Sequence, residues 1–593
     1  MHEIAHTRTL MAGTVAPGEA SPFITVRLLR RLAVLIDTFP WVAFVITTAG
    51  CGWIRLSGFP FHFLDHDELF TYYIAQAPTL RRLLELTHTV DLHPPLSYLL
   101  VRASLAVFGH TQWACRLPSV LAFFAATALL FWLVTRLVTP MYGLIAILLI
   151  WNVPITYSAG EARPYSLMLF SASLLLVFWY RCIANPDSES TKAQRTPWRI
   201  AAVTLSSFGL LLSHVLGLLC FAAFLAAECV RWALRGNSDW RLWRALLVPL
   251  VSVLAYVPLF HTSAVILFTD KYRATPLRIA GFYWEFLRFV PVPLAAILLL
   301  AIFWPRSQAD LEPRTAPEKT GQCSPSVFWP SACLLGCLAL IPLVVGAVFA
   351  YKGMAFFDRY GVVFFIPYCL IPALLLGHRA RRNPFAGMIV VLLLLASLIF
   401  NTIGKGWLIE KMSAFVPPRI GAGLMYALAL PLIYVPSNPL VPPHLGAELS
   451  TAKQIEDLDS IEPSLPVVAN TGLSFLELDH QGSPALVRRL YLLQDKDAAI
   501  AIAKDTVFEN YDRLIGVFPL RGSIRPYCPF TSEHPRFLAI GAYNHPQGWV
   551  LKRLDAEQAQ MRILGTYTKT TEEAQVYEVT VTGSHCQPDS VRP

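Results

Sequence analysis

Asp65, Asp67 and Glu68 fall within four positions of LDHDELFTYYIAQ (64–76), just past an apolar stretch that ends near Ile54. Acidic residues at a membrane boundary are costly and are kept where they have work to do. A carboxylate so placed can take a proton from a hydroxyl nucleophile. These residues therefore read as the reacting end of an enzyme that acts on a membrane-bound substrate.

The acidic pair is not isolated. DLHPPLSYLL (91–100) brings Asp91 and His93, CRLPS brings Arg116, and SAGEARPY (158–165) brings Glu161, Arg163 and Tyr165. His214, the KYR group with Lys271 and Arg273, and Arg359 in FFDRY (356–360) complete the set. A solvated loop charge or a helix cap explains a single DE pair; a set drawn from five loops needs a common purpose.

The elements that must position them follow from composition. With 55% hydrophobic residues, 15% charged and a mean hydropathy of +0.50, the chain is too apolar for a soluble globular protein. Runs of about 20 apolar residues cross a bilayer as helices. About eleven are expected: 32–54, 117–135, 140–157, 165–182, 200–215, 216–234, 245–262, 285–304, 328–350, 360–377 and 386–403. The expected fold is an α-helical polytopic membrane protein, with residues 1–31 cytoplasmic and 32–403 forming the transmembrane part.

Basic residues gather in alternate loops: Arg27, Arg30 and Arg31; Arg181, Lys192, Arg195 and Arg199; Arg231, Arg235, Arg241 and Arg244; Arg379, Arg381 and Arg382. The positive-inside rule makes these cytoplasmic. The loop 55–116 and the tail after 404 are then outside, which points to a bacterial inner membrane with a periplasmic site. The first span reads as an uncleaved anchor, although AGC at 49–51 has a faint lipoprotein-like look. The net charge of +9 reflects these loops and implies no nucleic-acid partner.

From about 440 the apolar runs shorten to strand length: 466–470, 513–518, 536–543 and 574–581. Helix-like stretches at 495–511 and 553–563 separate them, so 445–593 reads as an α/β extramembrane domain. Residues 404–444 form the linker, with VPSNPLVPPH at 435–444; GAGLMYALALPLIYV (421–435) is apolar enough to form a twelfth span, which would put the tail in the cytoplasm. Eight of the cysteines lie in or near spans; Cys528 and Cys586, in the tail, read as unpaired thiols that an oxidising compartment would permit to pair.

HDELFTYY, DLHPPLSYLL, CRLPS and EARPY, in this order and spacing, resemble the GT-C superfamily of membrane glycosyltransferases, and within it the protein O-mannosyltransferase-like group (glycosyltransferase family 39-like). The resemblance covers residues 30 to about 230 well, weakens toward 359–360, and leaves the tail unaccounted for. It implies a GT-C fold and a polyprenyl-phosphate sugar donor. The reaction it implies is transfer to a lipid, glycan or protein hydroxyl on the outer face. A tail unlike the eukaryotic repeat domains puts a protein acceptor in doubt.

In that role Asp67 is the expected base, with Glu68 orienting or binding the acceptor; a single displacement inverts the anomeric centre. Arg116 and Arg163 are expected on the donor phosphate, because guanidinium stays charged and binds phosphate oxygens in pairs. Asp65, His93, Glu161, Tyr165, His214, Lys271, Arg273 and Arg359 complete the expected substrate contacts. Tyr72, Tyr73, Tyr165 and Tyr360 also suit an aromatic belt at the membrane surface. No metal or other cofactor is expected; His62, His66, Asp65 and His93 approach a divalent-metal ligand set without the spacing of zinc sites.

Two other classes stay open on sequence. A lipid or glycan transporter or flippase would place charges at mid-membrane and show repeated halves, whereas here they cluster in loops of one face and no repeat is visible. A non-catalytic subunit of an envelope-glycan assembly complex would not need DE and HPPL together.

Overall fold

The computed structural model describes residues 24–56, 63–91, 93–153, 160–184, 197–256, 272–303, 324–380, 383–401, 456–569 and 572–581. Lys271, His62 and the whole linker 404–444, with the 421–435 segment, lie outside the described residues. Among those described, five helices are long and apolar enough to cross a membrane: Gln112–Leu137, Tyr165–Ile183, Gly217–Arg235, Pro325–Lys352 and Asp358–Arg379. Counting two bent pairs raises this to seven, and Pro140–Asn152 and Pro384–Ile399 are shorter apolar helices.

Three expected spans differ in detail, each with prolines at the departure. The anchor 32–54 breaks at Pro40 into helices that diverge by 103°. The span 285–304 is two helices, Pro276–Arg288 and Pro291–Phe303, bent by 74°. Proline lacks the N–H that would continue the helical ladder and collides with the preceding turn. In place of a helix over 245–262, the α-helix Trp240–Leu247 gives way to a 3-10 helix, Val248–Tyr256, with Pro249 near its start.

The bundle is organised around Pro140–Asn152, whose residues from Met141 onward are all buried. A helix apolar on every side belongs in the interior. By contrast, Leu340, Leu343, Val344 and Val348 of Pro325–Lys352 are exposed, the contiguous apolar surface that a lipid-facing helix presents. Arg231, counted above with the loop cations, is instead buried and paired with Glu228, which also accepts from the Trp179 indole N–H at 3.2 Å.

The loop expected at 55–116 is largely helical, with His66–Ala75, Leu80–Thr89 and Leu96–Phe108 packed together. The tail forms a six-stranded sheet: β1 Val467–Ala469, β2 Leu490–Gln494, β3 Ser523–Pro526, β4 Arg536–Gly541, β5 Gln560–Lys569 and β6 Glu572–Thr580. Their order is β3-β2-β1-β4-β6-β5, parallel through the first four and antiparallel at β4–β6 and β6–β5. β1 is buried throughout, as a central parallel strand should be.

The expected strand at 513–518 is not formed. Gly516 adopts a left-handed conformation after the 3-10 turn Phe508–Leu514. The helix expected over 553–563 ends at Ala556, and the chain turns through Gln558, also left-handed, into β5. Cys528, expected as an unpaired thiol, is disulfide-bonded. The sheet unit packs directly on His66–Ala75 through Tyr73 and His480, so the tail and the acidic loop lie together.

Candidate active site

Asp65 is the N-cap of helix His66–Ala75: its carboxylate accepts from the Glu68 N–H at 2.9 Å, and Glu68 Oε2 accepts in return from the Asp65 N–H at 3.2 Å. This reciprocal cap satisfies two of the helix's otherwise unpaired N–H groups. The D-x-x-E spacing carried that signal in the sequence, where it was read as chemistry. Asp65 thus has a local structural task.

Glu68 is fully engaged. Its Oε1 accepts from Arg116 Nε at 2.7 Å and from the Ala162 N–H at 2.8 Å, and its Oε2 accepts from Arg116 Nη2 at 2.5 Å as well as from Asp65. A carboxylate offers about four lone-pair sites, so none remains for an acceptor. The Arg116 and Glu68 side chains are 4% and 1% exposed. Arg116 also donates to the Phe63 carbonyl at 2.9 Å. The pair ties three separate segments together.

Arg163 is similarly committed. Its guanidinium straddles Asp91 at 2.6 and 3.2 Å and donates to the Asp67 carbonyl at 3.1 Å, with a side chain 4% exposed. Tyr98, which sequence reading missed, donates to the same Asp91 oxygen at 2.6 Å. Burial raises the Asp91 carboxyl, but Arg163 and His93 outweigh it and hold the group well below the usual carboxylate range.

One ion pair of the cluster is more open. Asp67 Oδ2 lies 2.5 Å from Arg359 Nη1, with side chains 19% and 23% exposed. Burial favours the protonated acid, yet Arg359, His66 and Arg163 together lower the Asp67 pKa far below its ordinary value. Arg359 lies over the Tyr165 ring at 5.8 Å, Tyr165 meets His214 at 5.2 Å, and His214 meets His93 at 4.9 Å. Tyr165 is buried among these groups, not placed as a belt anchor. Arg273 is carried on a segment bridged to Ala355, just ahead of Arg359.

Glu161 sits beside this pair, 6% exposed, and its Oε2 has no hydrogen-bond partner among the described residues. Burial, then the charge of Asp65, pushes its pKa up to about 8. The folded protein therefore holds a proton here that the unfolded chain, with a carboxyl near 4.5, releases. A raised acid pKa makes stability fall as pH rises between about 4.5 and about 8. Glu161→Gln should flatten that fall, measured as melting temperature in detergent across this window. An unchanged pH slope in the variant would show that Glu161 is ionised in the fold.

Residues 92–265 match the family described as dolichyl-phosphate-mannose-protein mannosyltransferase. Among solved structures, ArnT from Cupriavidus metallidurans in the apo state is similar at 15% identity and a TM-score of 0.49, over 91% of this chain and 97% of that one. ArnT bound to undecaprenyl phosphate gives 15% and 0.48, over 93% and 100%. The archaeal oligosaccharyltransferase AglB from Archaeoglobus fulgidus, in complex with an inhibitory peptide and a dolichol-phosphate, gives 12% and 0.41, over 93% and 75%. No curated protein sequence matches. The family match falls on the segment that carries His93, Arg116, Glu161, Arg163, Tyr165 and His214, and over that segment the chain, which has several helices long and apolar enough to cross a membrane, is similar to the dolichyl-phosphate-mannose-protein mannosyltransferases.

Proposed function

We propose that the protein transfers a sugar from a polyprenyl-phosphate donor to an acceptor hydroxyl at the outer face of the membrane, with inversion and with Asp67 as base. The donor class follows the matched family, whose description names a dolichyl-phosphate sugar. The observation that carries the reading is the half-open Asp67–Arg359 pair, set among buried pairs that are already complete.

The pair suggests how donor binding prepares the base. Held against Arg359, Asp67 is ionised but weakly basic. A donor phosphate draws the guanidinium toward itself, because Arg binds phosphate oxygens strongly. The Asp67 carboxylate then recovers basicity as the acceptor hydroxyl approaches, while Arg359 receives the charge that builds on the departing phosphate. The proton passes to Asp67, the acceptor oxygen bonds to the anomeric carbon, and the polyprenyl phosphate leaves with the electron pair of the broken bond. Purified protein given a polyprenyl-phosphate sugar and candidate acceptors should release polyprenyl phosphate together with a glycosylated product. Absence of both across hexosyl and pentosyl donors would overturn the reading.

The outer, periplasmic placement is supported by the alternation of basic loops and by the disulfide at Cys528, since disulfides persist in oxidising compartments. A cysteine at Ala485, an exposed position of the tail, should react with a membrane-impermeant thiol reagent in intact spheroplasts. Labelling that appears only after the membrane is opened would put both tail and site in the cytoplasm.

A further inference from the structure

Helix His66–Ala75 is fixed at its N-terminal end by the Asp65 cap and Arg116, and the sheet unit packs on it farther along. Phe70 meets Phe518 edge-on at 5.1 Å and Tyr511 at 6.2 Å, and the Tyr73 ring lies 5.0 Å from Phe518. Asp67, Phe70 and Tyr73 are spaced by three, so the tail packs along the stripe that begins with Asp67. Burial, then the charge of Asp67, raises the pKa of Tyr511, in keeping with a tail residue close to the acid.

A polar contact crosses this seam between Tyr73 Oη and His480 Nδ1, 2.8 Å apart. His480 ends the tail helix Gly472–Gln481, and Tyr72 meets its ring edge-on at 5.4 Å. That helix end is itself held: Asp479 Oδ1 accepts from the Arg521 and Gly522 N–H groups at 2.9 and 2.6 Å, and the Arg521 guanidinium donates to the Asp479 carbonyl. Burial and Arg521 lower the His480 pKa, which keeps the ring neutral and suited to a hydrogen bond with a phenol.

We propose that His480 is a positioning residue for the transfer reaction: through Tyr73 it fixes the C-terminal end of helix His66–Ala75, and so the approach of Asp67 to the acceptor. The inference rests on the reading of Asp67 as base. A small displacement of a reacting group is costly in rate, and a directional hydrogen bond adds a fixed point to the aromatic packing.

Tyr73→Phe, which keeps the ring in the seam, and His480→Ala should each lower kcat about threefold to tenfold, the worth of one neutral hydrogen bond, with the donor KM within about twofold of the parent. His480→Asn, which returns a polar atom near the Nδ1 position, should recover most of the loss. The double variant should be no slower than the slower single. Backbone amides of 66–75 should exchange faster in His480→Ala. Parent-like kcat in both single variants, no recovery with Asn, or unchanged exchange would overturn the proposal. If the parent protein transfers no sugar, the reading of Asp67 fails, and the exchange experiment still decides whether His480 holds the helix.

Discussion

Asp67→Asn is expected to lower turnover by about a hundredfold or more, the lower range for loss of a general base, while the protein keeps its monodisperse elution and melting temperature in detergent. The size and most of the polarity of the side chain are retained, and the Arg359 partner is 23% exposed, so water can take up the released guanidinium. Two kinetic constants should separate. Freed from its carboxylate, Arg359 is more available to phosphate, so donor KM should stay level or fall as kcat collapses, the pattern of a group that acts mainly in the transition state. Near-normal turnover in the Asn variant would remove Asp67 from the role and leave Glu161, the neighbouring carboxyl with a pKa near 8, as the next candidate.

The contrast between Asp67 and Glu68 shows where sequence reading stopped. Gathering the polar residues of separate loops into one site was legible, because the alternation of basic loops assigned them to one face. Choosing partners within that site was not. Arg116 reaches Glu68 across 48 positions and Arg163 reaches Asp91 across 72, and either Arg in isolation has the chemistry of a phosphate ligand. Only packing decides which guanidinium is already saturated. The aromatic residues of FTYY misled for a related reason: Tyr73, a plausible membrane-belt anchor, is buried against a domain more than 400 positions away. The proline breaks were written in the sequence at Pro40 and Pro291, but a window of mean hydropathy averages over a bend.

The tail was legible as an α/β unit through PVVAN, RFLAIGAY and AQVYEVTV, which supply β1, β4 and β6. Missed were β2, five residues between Arg489 and Asp495, β3, only four residues long, and β5, whose side chains over 560–566 are all exposed or half-exposed. Short strands carry little periodic signal, and strand identity depends on the neighbours in the sheet.

Glu68→Gln and Arg116→Met should each cost folded protein more than they cost chemistry. Either change leaves the remaining partner buried, at 4% or 1% exposure, with its charge uncompensated. Breaking a buried ion pair from one side costs about 3–5 kcal/mol, a large share of the roughly 5–15 kcal/mol that holds a domain together. Glu68 also accepts from the Asp65 and Ala162 N–H groups, so its loss loosens the helix start and the EARPY turn together. Both single variants should therefore give low yields of monodisperse protein and a markedly lower melting temperature. The double variant Glu68→Gln/Arg116→Met removes both charges and should regain part of that loss, because replacing a whole buried pair costs less than orphaning one member. Single variants that melt like the parent but fail to turn over would place Glu68 and Arg116 on the substrate after all, and with them the donor phosphate.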